Sequence, residues 1–377
     1  MSLIENITNN FNTTKKAAVY YKVEPFYTNV DSYTHTNNWE ILQSIKILNE
    51  KGYAVDLIDR GNHDWTPNKT YDLFLGLGVG NTGKNFVRHA NISGAKKKVL
   101  LSMGPQPDVS NELVLERYKM FKERTGYNAP PMRTVAQVTG EEFIKIADTA
   151  DFIFNIGEKD TCSYNSFLKY GKPVLNFLPS VSPLLHFNPE WLQTRDINSF
   201  LCFAGNGFIC KGVDLLVESF LDNPSKTLHI CGPNTEAAFF NYYGEKINSA
   251  PNIFYHGFVK PGGESFNQLS SKCSFVIFHS AAEGCCTSVA TAIKAGLVPV
   301  INPWTGINVT DEGVSMKEGG DIIKTITESV NKASVINAGQ YKQFLEKTLE
   351  KSKLFSQDSF TKTYTEALDV VIGEIKQ

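Results

Sequence analysis

The segment FLCFAGNGFICKGVDLL, at residues 200–216, decides the fold class that we expect. It begins with an apolar run, passes through a loop rich in glycine and ends in the apolar start of a helix. A buried strand that turns tightly into a helix is the repeating unit of parallel, doubly wound sheets. Because the same order recurs along the chain, we predict an α/β protein with two Rossmann-like domains that face a cleft.

The alternation is most regular in the second half of the chain. There, apolar runs separated by Gly or Pro turns predict strands at 200–204, 227–231, 252–255, 274–278 and 297–301, and helices near 212–221, 236–248, 264–271 and 286–295. In the first half, similar patterns predict strands at 17–21, 54–58, 73–75, 99–101 and 152–154, a helix capped by Asn37 or Asn38, and a helix at 112–122.

The domain boundary is expected where the pattern lapses. Residues 176–198 carry three prolines and no clear period, which is typical of a linker. We therefore predict a first domain at 1–180, a linker at 181–198 and a second domain at 199–356. The length of 377 residues suits two domains of about 150 residues or more each.

Composition excludes several classes of protein. A hydrophobic content of 42% rules out wholesale disorder, and a net charge of −2 argues against nucleic-acid binding as the main activity. Seven cysteines without zinc-ligand spacing favour a reduced, cytoplasmic compartment. Met1 to Lys16 lacks the apolar core of a signal peptide, and no run of about 18 apolar residues predicts a membrane span.

The loop after the strand at 200–204 has the features of a diphosphate site. Gly205, Asn206 and Gly207 allow close approach of the backbone, and Lys211 adds a positive charge just before a helix N-terminus, which itself favours anions. Gly232 follows the neighbouring strand in the same way. The loop does not fit the P-loop pattern. A surface lysine beside a flexible turn is the alternative.

A second loop, at 279–289, follows the strand at 274–278 and enters the next helix. Glu283 in this loop could accept hydrogen bonds from sugar hydroxyls, and the backbone N–H groups of Cys286, Thr287 and Ser288 could hold phosphate. The alternative for Glu283 is a structural acid that the helix dipole stabilises. In the first half, His35 is a weaker candidate for the acceptor site, or an exposed loop histidine.

The second half resembles the donor-binding domain of glycosyltransferase family 4. The resemblance rests on KGVDLLVESF at 211–220, NIFYHGFV at 252–259, the strand and Glu-Gly loop at 275–284, and the helix and strand up to Val300. It covers about residues 200–315 in order and spacing. The first half resembles the family only loosely, at 17–51 and 52–56.

The resemblance implies a GT-B fold and transfer of a sugar from a nucleotide-diphosphate sugar, with UDP- or GDP-sugars expected, usually with retention and without metal or another cofactor. Lys211 would contact the diphosphate, Glu283 the donor sugar, and Val259 the base. The N–H groups after Gly284 would hold phosphate. The acceptor would be a glycan or a lipid-linked glycan in surface polysaccharide or glycolipid synthesis, with at most peripheral membrane contact. A final helix at 357–377 would pack back on the first domain.

Two positions depart from the family pattern. Asn206 stands where the family usually has Arg, and Thr291 stands where it usually has a second Glu that holds the ribose. We therefore keep a non-catalytic binding protein for sugar nucleotides or glycans as an alternative. A nicotinamide-dependent oxidoreductase is disfavoured, because no GxGxxG follows a strand with an acid about 20 residues later.

Overall fold

The structure, a computed structural model, describes residues 2–10, 12–28, 36–78, 83–132 and 135–373. The chain divides into two compact units. Unit 1 comprises Met1–Asn111, Ala136–Ser180 and Gln357–Gln377, as far as these are described, and unit 2 comprises Glu112–Val135 and Val181–Ser356. The segment 112–135, which the sequence assigned to the first domain, therefore belongs to unit 2. The chain leaves unit 1 first at Asn111 and again at Ser180.

Unit 1 is built on a seven-stranded sheet in the order β1-β3-β2-β4-β5-β6-β7, in which β1 is antiparallel to β3 and the other neighbours are parallel. Its strands are β1 (Leu3–Ile7), β2 (Lys15–Tyr21), β3 (Tyr53–Asp59), β4 (Leu73–Leu77), β5 (Lys97–Ser102), β6 (Phe152–Ile156) and β7 (Val174–Phe177). Its helices are α1 (Thr36–Glu50), α2 (Gly83–Ile92), α4 (Gly140–Thr149), α5 (Cys162–Asn165) and α12 (Gln357–Ile372), and the start of α3 (Pro107–Thr125) also lies here.

Unit 2 is built on a six-stranded parallel sheet in the order β10-β9-β8-β11-β12-β13. Its strands are β8 (Asp196–Phe203), β9 (Thr227–Cys231), β10 (Ile253–Tyr255), β11 (Cys273–Phe278), β12 (Val298–Ile301) and β13 (Val314–Ser315). Its helices are α6 (Val213–Leu221), α7 (Ala237–Ser249), α8 (Glu264–Lys272), α9 (Thr287–Lys294), α10 (Ile322–Ser334) and α11 (Ala338–Ser352).

The central strands are buried on both faces, which explains their continuous apolar runs. All six residues of β11 are buried, as are the last five of β8. Helices cover both faces of such parallel sheets, so apolar and polar residues need not alternate along their strands. In unit 1, Phe360, Tyr364 and Leu368 place α12 in the core beside β7, as expected for the final helix.

The two-sheet α/β fold predicted from the sequence is confirmed, and the strands of the second half lie within a few residues of their expected positions. Some boundaries differ. β7 occupies part of the irregular stretch, and β8 starts at Asp196, inside the predicted linker. Asn37 and Asn38 lie within α1 rather than capping it, and their side chains accept hydrogen bonds from Lys22 Nζ. Among the described residues, no helix is long and apolar enough to cross a membrane.

Candidate functional site

The candidate site in unit 2 lies where the strand order reverses. From β8 the chain continues to β9 on one side of the sheet, whereas β11 pairs with β8 on the other side. The loops after β8 and β11 therefore leave the same edge of the sheet in opposite directions. In open α/β sheets this crevice beyond the strand carboxyl ends is where ligands bind.

Lys211 and Glu283, one from each loop, form an ion pair at this point. Lys211 Nζ lies 2.6 Å from Glu283 Oε1, and the side chains are 13% and 12% exposed. Ser280 Oγ lies 3.4 Å from the same carboxylate oxygen, and Lys211 Nζ lies 5.7 Å from the centre of the Phe278 ring. The structure thus brings together the two residues that the sequence predicted for the diphosphate and the donor sugar.

The loop that carries Lys211 has a fixed backbone. The N–H of Lys211 donates to the carbonyl of Gly207, and the N–H of Val213 donates to that of Phe208. Gly212 has φ +73°, and a methyl group there would lie 2.3 Å from the carbonyl oxygen of His279. Only glycine fits this position, because it combines a left-handed backbone with close backbone approach.

The segment after β12 holds the loop that carries Glu283 through backbone hydrogen bonds. The N–H of Glu283 donates to the carbonyl of Trp304 at 2.9 Å, and the N–H of Cys286 donates to that of Thr305 at 2.8 Å. A methyl group at Gly306 would lie 1.9 Å from the carbonyl oxygen of Gly284, so the two segments are in direct contact. The Cys286 N–H is therefore used within the protein, and the expectation that it binds phosphate is wrong.

Thr287 and Ser288 begin α9, and their N–H groups stay candidates for a phosphate. Glu283 lies before this helix, whereas Thr291 lies within it. Thr291 is 6% exposed on the buried side of α9. It can reach a ligand only if this part of the helix borders the bound nucleotide.

The remaining residues that the sequence predicted to contact a ligand lie in or near the loop after β8. A methyl group at Gly205 would meet open space, whereas Gly207 has φ +85° and approaches Cys210 Sγ. Asn206 is exposed, and its Oδ1 accepts a hydrogen bond from Thr235 Oγ1. Gly232 donates its N–H to the carbonyl of Gly257, close to the buried Val259.

Glu236 is a residue of this region that the sequence did not reveal. Its Oε1 accepts a hydrogen bond from the Tyr118 hydroxyl at 2.5 Å, and its Oε2 accepts one from the N–H of Ile209 at 2.9 Å. Burial raises the pKa of Glu236, and these two hydrogen bonds oppose that effect. The carboxyl group thereby ties α3 to the loop that carries Lys211. Its separation in sequence from both partners left no local signal.

Arg117 on α3 provides a second such link. Its guanidinium is buried and donates to the carbonyl oxygen and to Nδ1 of His279, both at 2.9 Å. Burial, together with the neighbouring positive charge of Arg117, lowers the pKa of His279 to about 3, so this ring is neutral. Ala281, two residues later, donates its N–H to the carbonyl of Cys210 and joins the two loops.

In unit 1, the candidate His35 lies outside the described residues. The strand order of this sheet reverses at β2, and Glu40 on α1 lies near that point. The carboxyl group of Glu40 accepts hydrogen bonds from the N–H and the hydroxyl of Ser180. Burial raises the pKa of Glu40 to about 7, against the effect of these hydrogen bonds. Among the described residues, no group of three or more His, Cys, Asp or Glu side chains is placed to hold a metal ion.

Comparison with known proteins supports the fold class. No protein-family model matches the chain, and no curated protein matches it by sequence. Solved structures match it at 9–14% identity, and they show that the chain has the GT-B fold of glycosyltransferases, with two Rossmann-like domains.

Several of these structures cover nearly the whole chain. Sucrose-phosphate synthase from Thermosynechococcus elongatus matches with a TM-score of 0.64 and 9% identity, over 96% of this chain and 100% of that one. The lipopolysaccharide outer core galactosyltransferase WaaB, in its apo form, matches with a TM-score of 0.59 and 12% identity, over 96% and 100%.

Other similar structures belong to longer proteins. TarM matches with a TM-score of 0.51 and 14% identity over 79% of this chain, and the match spans only 54% of the TarM chain. The pneumococcal O-GlcNAc transferase GtfA, solved in complex with UDP and GlcNAc, matches with a TM-score of 0.50 and 13% identity over 81% of this chain and 58% of that one.

Proposed function

We propose that this protein is a glycosyltransferase that moves a sugar from a nucleotide-diphosphate sugar to a glycan or lipid-linked acceptor. The observation that carries the proposal is the Lys211–Glu283 ion pair at the strand-order reversal of unit 2. Similar structures with the same fold are named as glycosyl, galactosyl or GlcNAc transferases, and several are complexes with UDP. UDP- or GDP-sugars are the donors that we expect.

The ion pair suits such a donor because its two charges have separate tasks. A diphosphate carries negative charge and attracts Lys211 Nζ, which provides three donors. Glu283 then loses its partner and accepts hydrogen bonds from sugar hydroxyls. In the structure each charge neutralises the other, so neither is left unpaired in a largely buried place.

Catalysis in this proposal is electrostatic. Negative charge develops on the leaving diphosphate, and fixed positive groups at Lys211 and at the start of α9 stabilise it. Loops tied by backbone hydrogen bonds hold these groups in place before the donor arrives. Retention at the anomeric carbon, independence of metal and a cytoplasmic role in surface polysaccharide or glycolipid synthesis rest on the family resemblance alone.

The alternative is a non-catalytic protein that binds sugar nucleotides. Asn206 and Thr291 favour it, because neither offers the charge that the family pattern has at these positions. Both functions predict binding of nucleotide diphosphates, but only the transferase breaks the bond between sugar and diphosphate.

The test is slow hydrolysis of donors without acceptor. UDP-glucose, UDP-galactose, UDP-N-acetylglucosamine and GDP-mannose are incubated singly with the protein, and release of UDP or GDP is measured by chromatography. We expect release from at least one donor. Glu283→Gln should lower that rate by about a hundredfold, the cost of losing one group that stabilises a transition state.

The matched control is Glu264→Gln, which changes an exposed glutamate in the first turn of α8. It should hydrolyse the donor at the wild-type rate. A wild-type rate for Glu283→Gln would refute the role of Glu283. Nucleotide binding without release from any donor, with or without acceptor glycans, would favour the non-catalytic protein.

A further inference from the structure

The segment 279–283 carries Glu283 from the end of β11 and is held by hydrogen bonds along its length. Its bonded pairs are His279 with Arg117, Ser280 with Asn302, Ala281 with Cys210, and Glu283 with Trp304. Three of these partners lie in the loops after β8 and β12. The partner of His279 differs from them, because Arg117 is charged and comes from the part of α3 that belongs to unit 2.

Arg117 holds His279 by two hydrogen bonds. Its Nη1 donates to the carbonyl oxygen of His279 and its Nη2 donates to Nδ1 of the ring, both at 2.9 Å, and both residues are buried. Because a guanidinium can only donate, Nδ1 must be the acceptor, and the neutral imidazole carries its proton on Nε2. A planar donor that binds the backbone and the ring of one residue fixes the orientation of that residue as well as its position.

The guanidinium also borders the loop that carries Lys211. A methyl group at Gly212 would lie 2.6 Å from Nη1 of Arg117 and 2.3 Å from the carbonyl oxygen of His279. The same two loops are joined by the hydrogen bond from Ala281 N–H to the carbonyl of Cys210, at 2.8 Å. Arg117 therefore lies where the two loops meet, and it can set the position of one relative to the other.

The partners of Arg117 are unusual for a buried charge. Arg124 on the same helix forms ion pairs with Asp214 and Glu218, whereas the hydrogen bonds of Arg117 go to neutral acceptors. Burial of a charge is costly, and apolar side chains could fill the same place without that cost. Departures from apolar packing of this kind are expected at functional sites.

From these contacts we infer that Arg117 is a positioning residue for Glu283. It acts through His279 and fixes the segment that presents the Glu283 carboxylate to the donor sugar. The inference rests on the proposed role of Glu283, and it adds to that site a residue from α3 that has no place in the family resemblance. Exact placement matters because a shift of about 1 Å in a group that binds substrate can cost about a hundredfold in rate.

The experiment separates binding of the sugar from binding of the nucleotide. Calorimetry compares UDP-glucose, UDP-galactose, UDP-N-acetylglucosamine and GDP-mannose with free UDP or GDP, on the full chain and without acceptor. Arg117→Lys keeps the positive charge but cannot form the planar pair of hydrogen bonds. It should weaken binding of the nucleotide sugar by about tenfold, the effect of one lost hydrogen bond to a charged group, and leave binding of the free nucleotide within about threefold.

Variants of His279 test the same contact from its other side. In His279→Asn, the amide oxygen can take the place of Nδ1 and accept from Arg117, so this variant should bind the nucleotide sugar like the wild type. His279→Leu has no acceptor in its side chain and should reproduce the loss seen in Arg117→Lys. Melting curves show which variants are folded.

A double-mutant cycle with Glu283→Gln distinguishes positioning from a general structural effect. If Arg117 acts through Glu283, Arg117→Lys should cause no further loss in the Glu283→Gln background. The matched control is Arg124→Lys on the same helix, whose hydrogen bonds go to α6 and α7. It should lower the melting temperature and bind the nucleotide sugar like the wild type.

Three results would overturn the inference. They are an unchanged affinity for the nucleotide sugar in Arg117→Lys, equal losses for nucleotide sugar and free nucleotide, and a full further loss in the Glu283→Gln background. The binding measurements need no turnover, so they decide on Arg117 even if the protein proves to be non-catalytic. A wild-type protein that binds none of these ligands would refute the donor site and this inference together.

Discussion

The two sheets each reverse their strand order, and a lysine and a glutamate lie near both reversals. In unit 2, Lys211 and Glu283 bond directly to each other. In unit 1, Lys22 bonds to Asn37 and Asn38, and Glu40 accepts from Ser180. The same residue types therefore have different partners: opposite charges in one unit, and neutral polar groups in the other.

The difference indicates which glutamate is able to exchange its present partner for a ligand. Glu283 has a cation within 2.6 Å and remains partly accessible, so it is prepared to exchange one partner for another. Glu40 has no ion pair among the described contacts of its carboxylate, and desolvation dominates its protonation. Its hydrogen bonds fix the backbone where the chain leaves unit 1. We assign Glu40 a structural role.

The largest expected effect concerns the backbone of the unit 2 site. Gly212→Ala should destabilise the protein by about 4 kcal/mol, because a left-handed backbone and a close carbonyl oxygen both penalise a Cβ atom. Gly52→Ala is the control in unit 1. It has φ +84° but no atom within 4 Å of the added carbon, so it should cost only about 1 kcal/mol. Denaturant unfolding of both variants measures the contrast, and equal losses would contradict it.

The second effect concerns protonation in unit 1. The pKa of Glu40 is raised in the folded state from its ordinary value of 4.5 to about 7. The folded protein therefore holds a proton that the unfolded chain releases, and stability falls as the pH rises through this interval. Relative to Glu40→Gln, the wild type should lose about 3 kcal/mol between about pH 4 and pH 8. A difference between the two proteins that does not change with pH would contradict this assignment.

A third test concerns metal. Excess EDTA should leave donor hydrolysis unchanged, since in the proposed mechanism Lys211 and the start of α9 provide the positive charge that a metal would otherwise provide. Loss of activity with EDTA and its recovery with Mn²⁺ or Mg²⁺ would contradict metal independence.

The smallest effect concerns Thr291. A glutamate there could accept hydrogen bonds from ribose hydroxyls, and Thr291→Glu should tighten binding of a nucleoside diphosphate by about 1 kcal/mol. The gain should vanish with a 2′,3′-dideoxy nucleotide. Because Thr291 is buried, a melting curve of the variant must accompany the calorimetry. A folded variant with unchanged affinity would contradict the proposed place of the ribose.

The sequence predicted the unit 2 sheet well because its strands are buried on both faces and its turns contain glycine. β1 was missed because LIENI is short and half-exposed, and its two adjacent polar residues, Glu5 and Asn6, break the apolar run. Lys211 and Glu283 were found from their positions after strands, but their pairing joins residues 72 apart. The contacts of Arg117, Glu236 and Cys286 likewise depend on partners that only the folded chain brings near, so no local pattern could indicate them.

The central claim is that Lys211 binds the diphosphate of a nucleotide-sugar donor. Calorimetry of UDP and GDP, beside uridine and guanosine, tests it on the wild type, Lys211→Ala and the exposed control Lys272→Ala. We expect Lys211→Ala to lose roughly 1.5–3 kcal/mol of diphosphate binding, the range for a charge-assisted hydrogen bond, and nucleoside binding to stay unchanged. Lys272→Ala should bind like the wild type. Equal losses for nucleoside and diphosphate, or no loss of diphosphate binding, would contradict the account.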